Sequence, residues 1–204
     1  MKLKKLTAEL ASGIIDAGFD QEPKEIQSAG VPKIKSGADL FILAPEGSGK
    51  STAMVMGVIQ QLKKAYEEAP RAIVFASSKE EAFKLEEQFK ILGRHSDLRT
   101  FTVFDQGIIQ FQKDMIYEGI DILIGTPKRL NELLNITGIP MTKVRMVVVD
   151  DAEAFFSNRY HPIIYRIVDG IEKAQVLICA NSWNRKFDNL SGRIMKNPMT
   201  IEVE

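Results

Sequence analysis

Six short apolar runs, each followed by a longer amphipathic stretch, recur along this chain, and that alternation constrains its fold more than any other feature. The runs are "DLFILA" (39–44), "RAIVFA" (71–76), "RTFTVF" (99–104), "DILIGT" (121–126), "VRMVVVD" (144–150) and "QVLICA" (175–180). Helical patterns lie at about 50–67, 79–92, 107–118, 128–136, 161–172 and 185–196. Repeated strand–helix–strand units build a parallel sheet, because parallel neighbours need a crossover and the helix supplies it. Runs that are apolar at nearly every position, such as Val147 to Val149, fit strands covered on both faces. The expected fold class is therefore α/β, a mostly parallel sheet with helices on both faces. Ligands in such sheets sit outside the carboxyl ends of the strands, which directs attention to the residues just past each run.

The 204 residues show no low-complexity linker, internal repeat or second composition regime, so one domain is expected over 18–204. Residues 1–17 read as an amphipathic helix on or beside it, since Leu3, Leu6, Leu10 and Ile14 recur at helical spacing. The basic head of that segment is like a signal peptide, but Glu9 interrupts what would be its apolar core. With 27 basic and 27 acidic residues, no global field draws the chain to nucleic acid or membrane, so any such contact must be local. The single cysteine, Cys179, excludes an intramolecular disulfide and suits a reducing compartment; within "QVLICA" it reads as a buried thiol. No stretch approaches the ~20 apolar residues of a membrane span. A cytoplasmic protein is expected.

The first run leads into "APEGSGKST" (44–52), and a helical pattern follows at once. The phosphate-loop pattern G-x-x-x-x-G-K-[ST] is met except at its first position, which is Ala44. Gly47 and Gly49 let the backbone curl around Ser48 so that N–H groups face an anion, and the helix beginning at about residue 50 adds its positive dipole end. Lys50 supplies a point charge for the outer phosphates, and the Ser51 hydroxyl can ligate magnesium. An ordinary Gly/Ser-rich turn is the plain alternative, and the strand–turn–helix context argues against it.

A phosphate loop of this kind also needs a carboxylate at another strand tip. "VVVDDAEAFF" (147–156) places Asp150 there, as an acid holding magnesium partly through water. Asp151 follows and can orient or deprotonate a water; the alternative is a solvated acid at a turn.

In this order the motifs resemble the N-terminal RecA-like domain of DEAD-box ATP-dependent RNA helicases, over roughly residues 18 to 204. "GFDQEPKEIQ" looks like the family's Q motif, which implies that Gln27 reads the adenine edge. "ASSKEEA" (76–82) lies where the family has Pro-Thr-Arg-Glu-Leu-Ala, and Gly107 with Gln112 resembles the glycine-containing turn and helix that follow. "TPKRL" (126–130) matches the Thr-Pro-Gly-Arg loop, "DDAE" (150–153) stands at Asp-Glu-Ala-Asp, and "ANSW" (180–183) at Ser-Ala-Thr. The resemblance implies a RecA-like P-loop NTPase domain with ATP and Mg2+ at Ala44, Gly47, Ser48, Gly49, Lys50, Ser51 and Thr52. It also implies single-stranded or structured RNA as partner, held at Ser78, Lys79, Thr126, Pro127 and Arg129. Coupling between the two would pass through Glu153, Ala180, Asn181 and Ser182.

The departures from the family pattern cluster on function. Lys24 replaces the Q-motif threonine, with one extra residue between Phe19 and Pro23; Lys79 replaces an arginine, and Lys128 replaces the loop glycine. Ala180 lacks the hydroxyl of the family's serine, and Glu153 replaces the last aspartate, so the usual bond between those positions cannot form in the same way. Asn181 or Ser182 is the available substitute. Asp151 is one methylene shorter than the family's glutamate, a retraction of about 1.5 Å. No His-Arg-x-Gly-Arg segment occurs in the chain. Without such an arginine, worth about 10³–10⁵ in turnover where one is used, weak hydrolysis and no unwinding are expected unless a second RecA-like domain completes the site. Two other classes stay open: a catalytically degenerate regulatory module, and a small-molecule kinase, against which the ordered motifs argue. His95 and His161 lack metal-ligand spacing, and Trp183, Phe155 and Phe156 read as packing residues.

Overall fold

The computed structural model describes residues 2–204. After a 3₁₀ turn at Leu3–Lys5, the elements in chain order are α1 (Ala8–Asp16), α2 (Glu25–Lys35), β1 (Leu40–Leu43), α3 (Lys50–Leu62), β2 (Ala72–Phe75) and α4 (Lys79–Leu92). Then follow β3 (Thr100–Val103), α5 (Ile109–Tyr117), β4 (Ile122–Gly125), α6 (Pro127–Asn135), β5 (Met146–Val149) and α7 (Ala152–Ser157). The chain closes with α8 (His161–Asp169), β6 (Gln175–Ala180), α9 (Lys186–Ile194) and β7 (Met199–Glu202). The seven strands form one sheet in the order β3-β4-β2-β5-β6-β1-β7. Each adjacent pair is parallel, so the sheet is wholly parallel, where the sequence led us to expect it mostly so.

Alternation along the strands explains the two cores. Leu40, Ile42, Val74 and Val148 face α1 to α4, packing with Leu10, Ile14, Val31, Ile34 and Met54. Their neighbours Phe41, Leu43, Phe75, Val147 and Val149 face the other way, against Leu130, Leu133, Phe155, Ile164, Ile167 and Phe187 of α6 to α9. A strand buried on both faces has no polar side to show, hence the uninterrupted apolar runs. Each fully buried large side chain contributes about 1.5–3 kcal/mol.

Some boundaries differ from the sequence expectation for identifiable reasons. The N-terminal segment is not one continuous helix: Thr7 accepts from Leu10 N at 3.4 Å and caps α1, breaking it from the 3₁₀ turn. Helix α3 stops at Leu62 although apolar spacing continues to Tyr66. Lys63 adopts φ 66°, and buried Arg71 donates to Leu62 O and Lys64 O, taking up the helix-end carbonyls. Helix α2 gave no clear signal, because Gly30 and Pro32 lower its propensity; it forms by packing on α3, where a Cβ on Gly57 would lie 2.4 Å from Ile34 Cδ1. Six-residue α7 is too short to show a period, and edge strand β7 buries only Ile201.

At the amino edge of the sheet, fully buried Asp121 accepts from Arg71 and Arg99 and from the Arg99 and Tyr66 amides. Burial alone pushes its carboxyl up, but those bonds outweigh it and hold it below the usual range. This clamp fixes β2, β3 and β4 at one end, leaving the opposite edge to the loops. No helix among the described residues is long and apolar enough to cross a membrane.

Candidate functional site

Parallel strands bring all their carboxyl ends to one edge, and the polar residues forecast from the sequence lie there in two groups. The first surrounds the loop between β1 and α3. Gly49 caps α3 at φ 86°, a backbone angle that favours glycine, and a Cβ there would meet Gln27 Nε2 at 2.9 Å and displace that side chain. No side chain caps α3, which leaves its first-turn amides facing outward, and the Ser48 hydroxyl is buried without a hydrogen-bond partner. Lys50 Nζ donates to Ala44 O at 3.0 Å, Pro45 O at 3.3 Å and Asn181 Oδ1 at 2.7 Å. Ser51 Oγ lies 3.1 Å from both carboxylate oxygens of Asp150, across a separation of 99 residues.

Asp150 is 9% exposed, and burial raises its pKa from 3.8 to about 6, with Asp151 and Glu81 adding to the rise and Ser51 and Lys50 opposing it. Asp151 turns the chain from β5 into α7 in the left-handed region, φ 60°, a conformation aspartate tolerates better than most residues. Burial pushes its carboxyl up as well, as does Glu153; Ser77 and Lys50 act the other way. Glu153 Oε1 accepts the backbone N–H of Asn181 at 2.6 Å and of Ser182 at 3.4 Å. A link between the acidic segment and the β6 exit thus exists, made through backbone amides where Ala180 offers no hydroxyl.

Gln27 is 2% exposed and its Oε1 accepts from Lys24 N at 3.1 Å, so its side chain caps α2 while lying against Gly49. Lys24 Nζ reaches Gly47 O, tying α2 to the loop. The sequence singled Lys24 out only as a departure; its role in holding the loop was missed.

The second group lines a cleft of about 360 Å³ at the tips of β2, β3 and β4. Ser78, Lys79, Thr126 and Pro127 meet there, with Lys128, Gln106 and Tyr160. Ser78 Oγ caps α4 by accepting from Glu81 N at 3.2 Å. Lys79 Nζ sits 4.5 Å over the Phe104 ring, and Thr126 Oγ1 donates to Asp105 Oδ1 at 2.8 Å. Arg129 is not in the cleft: it is 4% exposed and donates to Asp105 O and to Gly107 O at 3.0 Å. A Cβ on Gly107 would fall 1.9 Å from Gln112 Nε2, so that side chain would have to shift and give up its bond to Phe104 O. Asp105 and Gln106 follow a strand directly, so the rule that found Asp150 would have found them. Tyr160 follows the turn after α7 and carries no local signal.

Other residues take plain roles. Cys179 is fully buried, Phe155 meets Phe75 edge-on at 5.8 Å, and His95 Nε2 lies 2.7 Å from Asp16 Oδ2. Among the described residues no three His, Cys, Asp or Glu side chains cluster to hold a metal. The Ser51 hydroxyl beside Asp150 suits a magnesium ion shared with phosphate and water rather than a protein cage. The orphaned Ser48 hydroxyl and open α3 amides suit the phosphates themselves.

Sheet order, phosphate loop and acidic strand tip together define a RecA-like α/β domain of the P-loop type. A family model described as DEAD/DEAH box helicase matches residues 24–190, and the chain belongs to that family. Among relatives, a probable ATP-dependent RNA helicase, ddx52 of Dictyostelium discoideum, is 27% identical over 201 residues, 98% of this chain and 30% of its own length. Eukaryotic initiation factor 4A of Caenorhabditis elegans is 24% identical over 203 residues, 98% of this chain and 50% of its own. The chain therefore spans half or less of these relatives. The crystal structure of a DEAD box protein from the hyperthermophile Methanococcus jannaschii matches with a TM-score of 0.89 at 19% identity, covering 98% of this chain and 55% of that one; it shows the shared fold.

Proposed function

We propose that residues 18–204 act as the N-terminal RecA-like domain of a DEAD-box-type RNA helicase, with residues 1–17 packed on it. It binds Mg-ATP at the loop 44–52 and single-stranded RNA backbone at the cleft beside β2 and β4. The observation that carries the reading is the Ser51–Asp150 contact at 3.1 Å beside Lys50, which unites the phosphate-binding and acidic halves of one site. Ser51 and Asp150 would hold the ion, Asp150 partly through water, and the ion would neutralise charge on the phosphates. Lys50 and the α3 amides bind phosphate oxygens. Asp151 orients the attacking water, and Glu153 conveys the state of the site to residues 181 and 182. A cytoplasmic location belongs to this reading and rests on the single reduced cysteine.

Alone, the chain hydrolyses ATP weakly and does not unwind duplexes, because no arginine finger is offered; a second RecA-like domain, in a longer chain or a partner, supplies it. One observation favours a second reading, a nucleotide-dependent RNA-binding or regulatory module without turnover. Asp151 is half-buried and a methylene shorter than glutamate, and a misplacement of about 1 Å can lower a rate ~10²-fold. Mg-ATP titration beside ATPase assays with and without single-stranded RNA separates the two. RNA-stimulated turnover supports the helicase, tight binding without turnover supports the module, and phosphorylation of a small acceptor rules out both.

A further inference from the structure

Lys50 Nζ, a donor without acceptor capacity, lies within hydrogen-bonding distance of three protein acceptors: Ala44 O at 3.0 Å, Pro45 O at 3.3 Å and Asn181 Oδ1 at 2.7 Å. The carbonyls belong to the phosphate loop itself. Asn181 belongs to the β6 exit, 131 residues away in sequence. A triphosphate in the loop needs that amine, so a present partner must yield. The shortest of the three bonds is also the only one made by a rotatable side chain, on an exposed residue.

We propose that Asn181 is a positioning residue that parks Lys50 until nucleotide arrives, so that phosphate and Asn181 compete for one amine. The proposal rests on the nucleotide-site reading above and goes beyond it by naming the group that phosphate displaces. Asn181 is suited to transmit the exchange. Its side chain holds the phosphate loop while its backbone N–H donates to Glu153 Oε1 at 2.6 Å, so one residue touches both the loop and α7. Residues 181–186 are all exposed, and what anchors them to the core is Trp183, edge-on to Phe41 at 5.0 Å and to Phe187 at 5.8 Å. Phe41 lies on β1, the strand that feeds the loop. Release of Asn181 therefore loosens the β6 exit, and Trp183, the chain's sole tryptophan and 45% exposed, reports it.

A hydrogen bond to a charged group is worth about 1.5–3 kcal/mol, and solvent at an exposed site favours the low end, so removing it is worth about tenfold in affinity. The test is calorimetric titration of the intact chain with Mg-ATP, alongside Trp183 emission. Asn181→Ala is expected to tighten binding about tenfold, and its nucleotide-free emission to match that of ATP-saturated wild type. Asn181→Asp is expected to weaken binding by tenfold or more, roughly, since a carboxylate holds the ammonium harder and repels phosphate. A merely structural role would weaken both variants alike. Affinities equal across wild type and both variants, or weaker binding by Asn181→Ala, overturn the competition while leaving the nucleotide site standing. Nucleotide-free Asn181→Ala emission unchanged from wild type overturns the release of the β6 exit. No binding by any of the three chains removes the nucleotide-site reading itself, and this proposal with it.

Discussion

The two clusters at the strand tips are built from similar residues, yet their polar groups are connected in opposite ways. Around the phosphate loop, side chains from distant segments meet one another: Ser51 meets Asp150, Lys50 meets Asn181, and Glu153 meets the amides of 181 and 182. In the cleft beside β2 and β4, the groups bond mainly into neighbouring turns. Thr126 holds the Asp105 carboxylate and Lys79 lies over Phe104, while Arg129, outside the cleft lining, holds the carbonyls of 105 and 107. The first arrangement concentrates charge that a ligand can engage. In the second, the neighbouring turns already engage part of the polar groups at the strand tips.

The comparison breaks most readily at Lys50. Lys50→Ala removes the only cation among the loop residues 44–52, and Mg-ATP affinity by calorimetry should fall about 100-fold or more, as expected for a charge-assisted phosphate contact. If affinity holds, the first cluster is no more a phosphate site than the second.

Asp150 tests the electrostatics of the same cluster without ligand. Its carboxyl titrates near pH 6 in the folded chain, against an ordinary 3.8. Between those values the folded state retains a proton that the unfolded state has lost, so stability falls as pH rises from about 4 to about 6, by up to about 3 kcal/mol. Asp150→Asn removes that slope. Urea unfolding should find the variant more stable than wild type above pH 6 and close to it near pH 4, whereas parallel curves would show that burial does not burden the charge.

Arg129→Ala should lower stability by about 2 kcal/mol, because a buried guanidinium is lost and two part-buried carbonyls lose their donor. If thermal unfolding is unchanged while RNA affinity collapses, Arg129 belongs to the ligand surface after all. Asp151→Glu should raise ATP turnover about tenfold by restoring the missing reach; unchanged turnover, with Asp151→Ala abolishing it, would show that the backbone already compensates. The smallest effect is expected for Lys79→Ala: RNA affinity a few-fold weaker across sequences, with the slope of log affinity against log salt reduced by about one, and unfolding unaltered. A steeper loss would make the cleft as ligand-directed as the phosphate loop.

Much of this architecture was legible beforehand, for reasons particular to its elements. Val147 to Val149 fitted a doubly covered strand, and "GSGK" between the β1 run and a helical pattern matched the phosphate-loop pattern. Asp150 was legible by its place immediately past β5. Helix α2 and edge strand β7 were not, since one depends on its fit to Gly57 of α3 and the other exposes most of its side chains. The inward bonds of Arg129 were not legible, because a basic residue in a strand-tip motif looks the same whether it faces a phosphate or two carbonyls of its own fold. Gln27 hides in the same way, its acceptor engaged by Lys24 N.

By itself the sequence determined the parallel α/β class and marked the loop 44–52 and Asp150 as the two halves of a candidate site. Periodicity and backbone demands are local, and local pattern records them. Only the tertiary structure decided which polar groups meet: that Asn181 accepts a hydrogen bond from Lys50, that Glu153 reaches two amides past β6, and that Arg129 turns inward. Those pairings join segments tens to more than a hundred residues apart, and hydrogen-bond geometry over a few ångströms is set by the packing of whole strands and helices, which no short stretch of sequence contains.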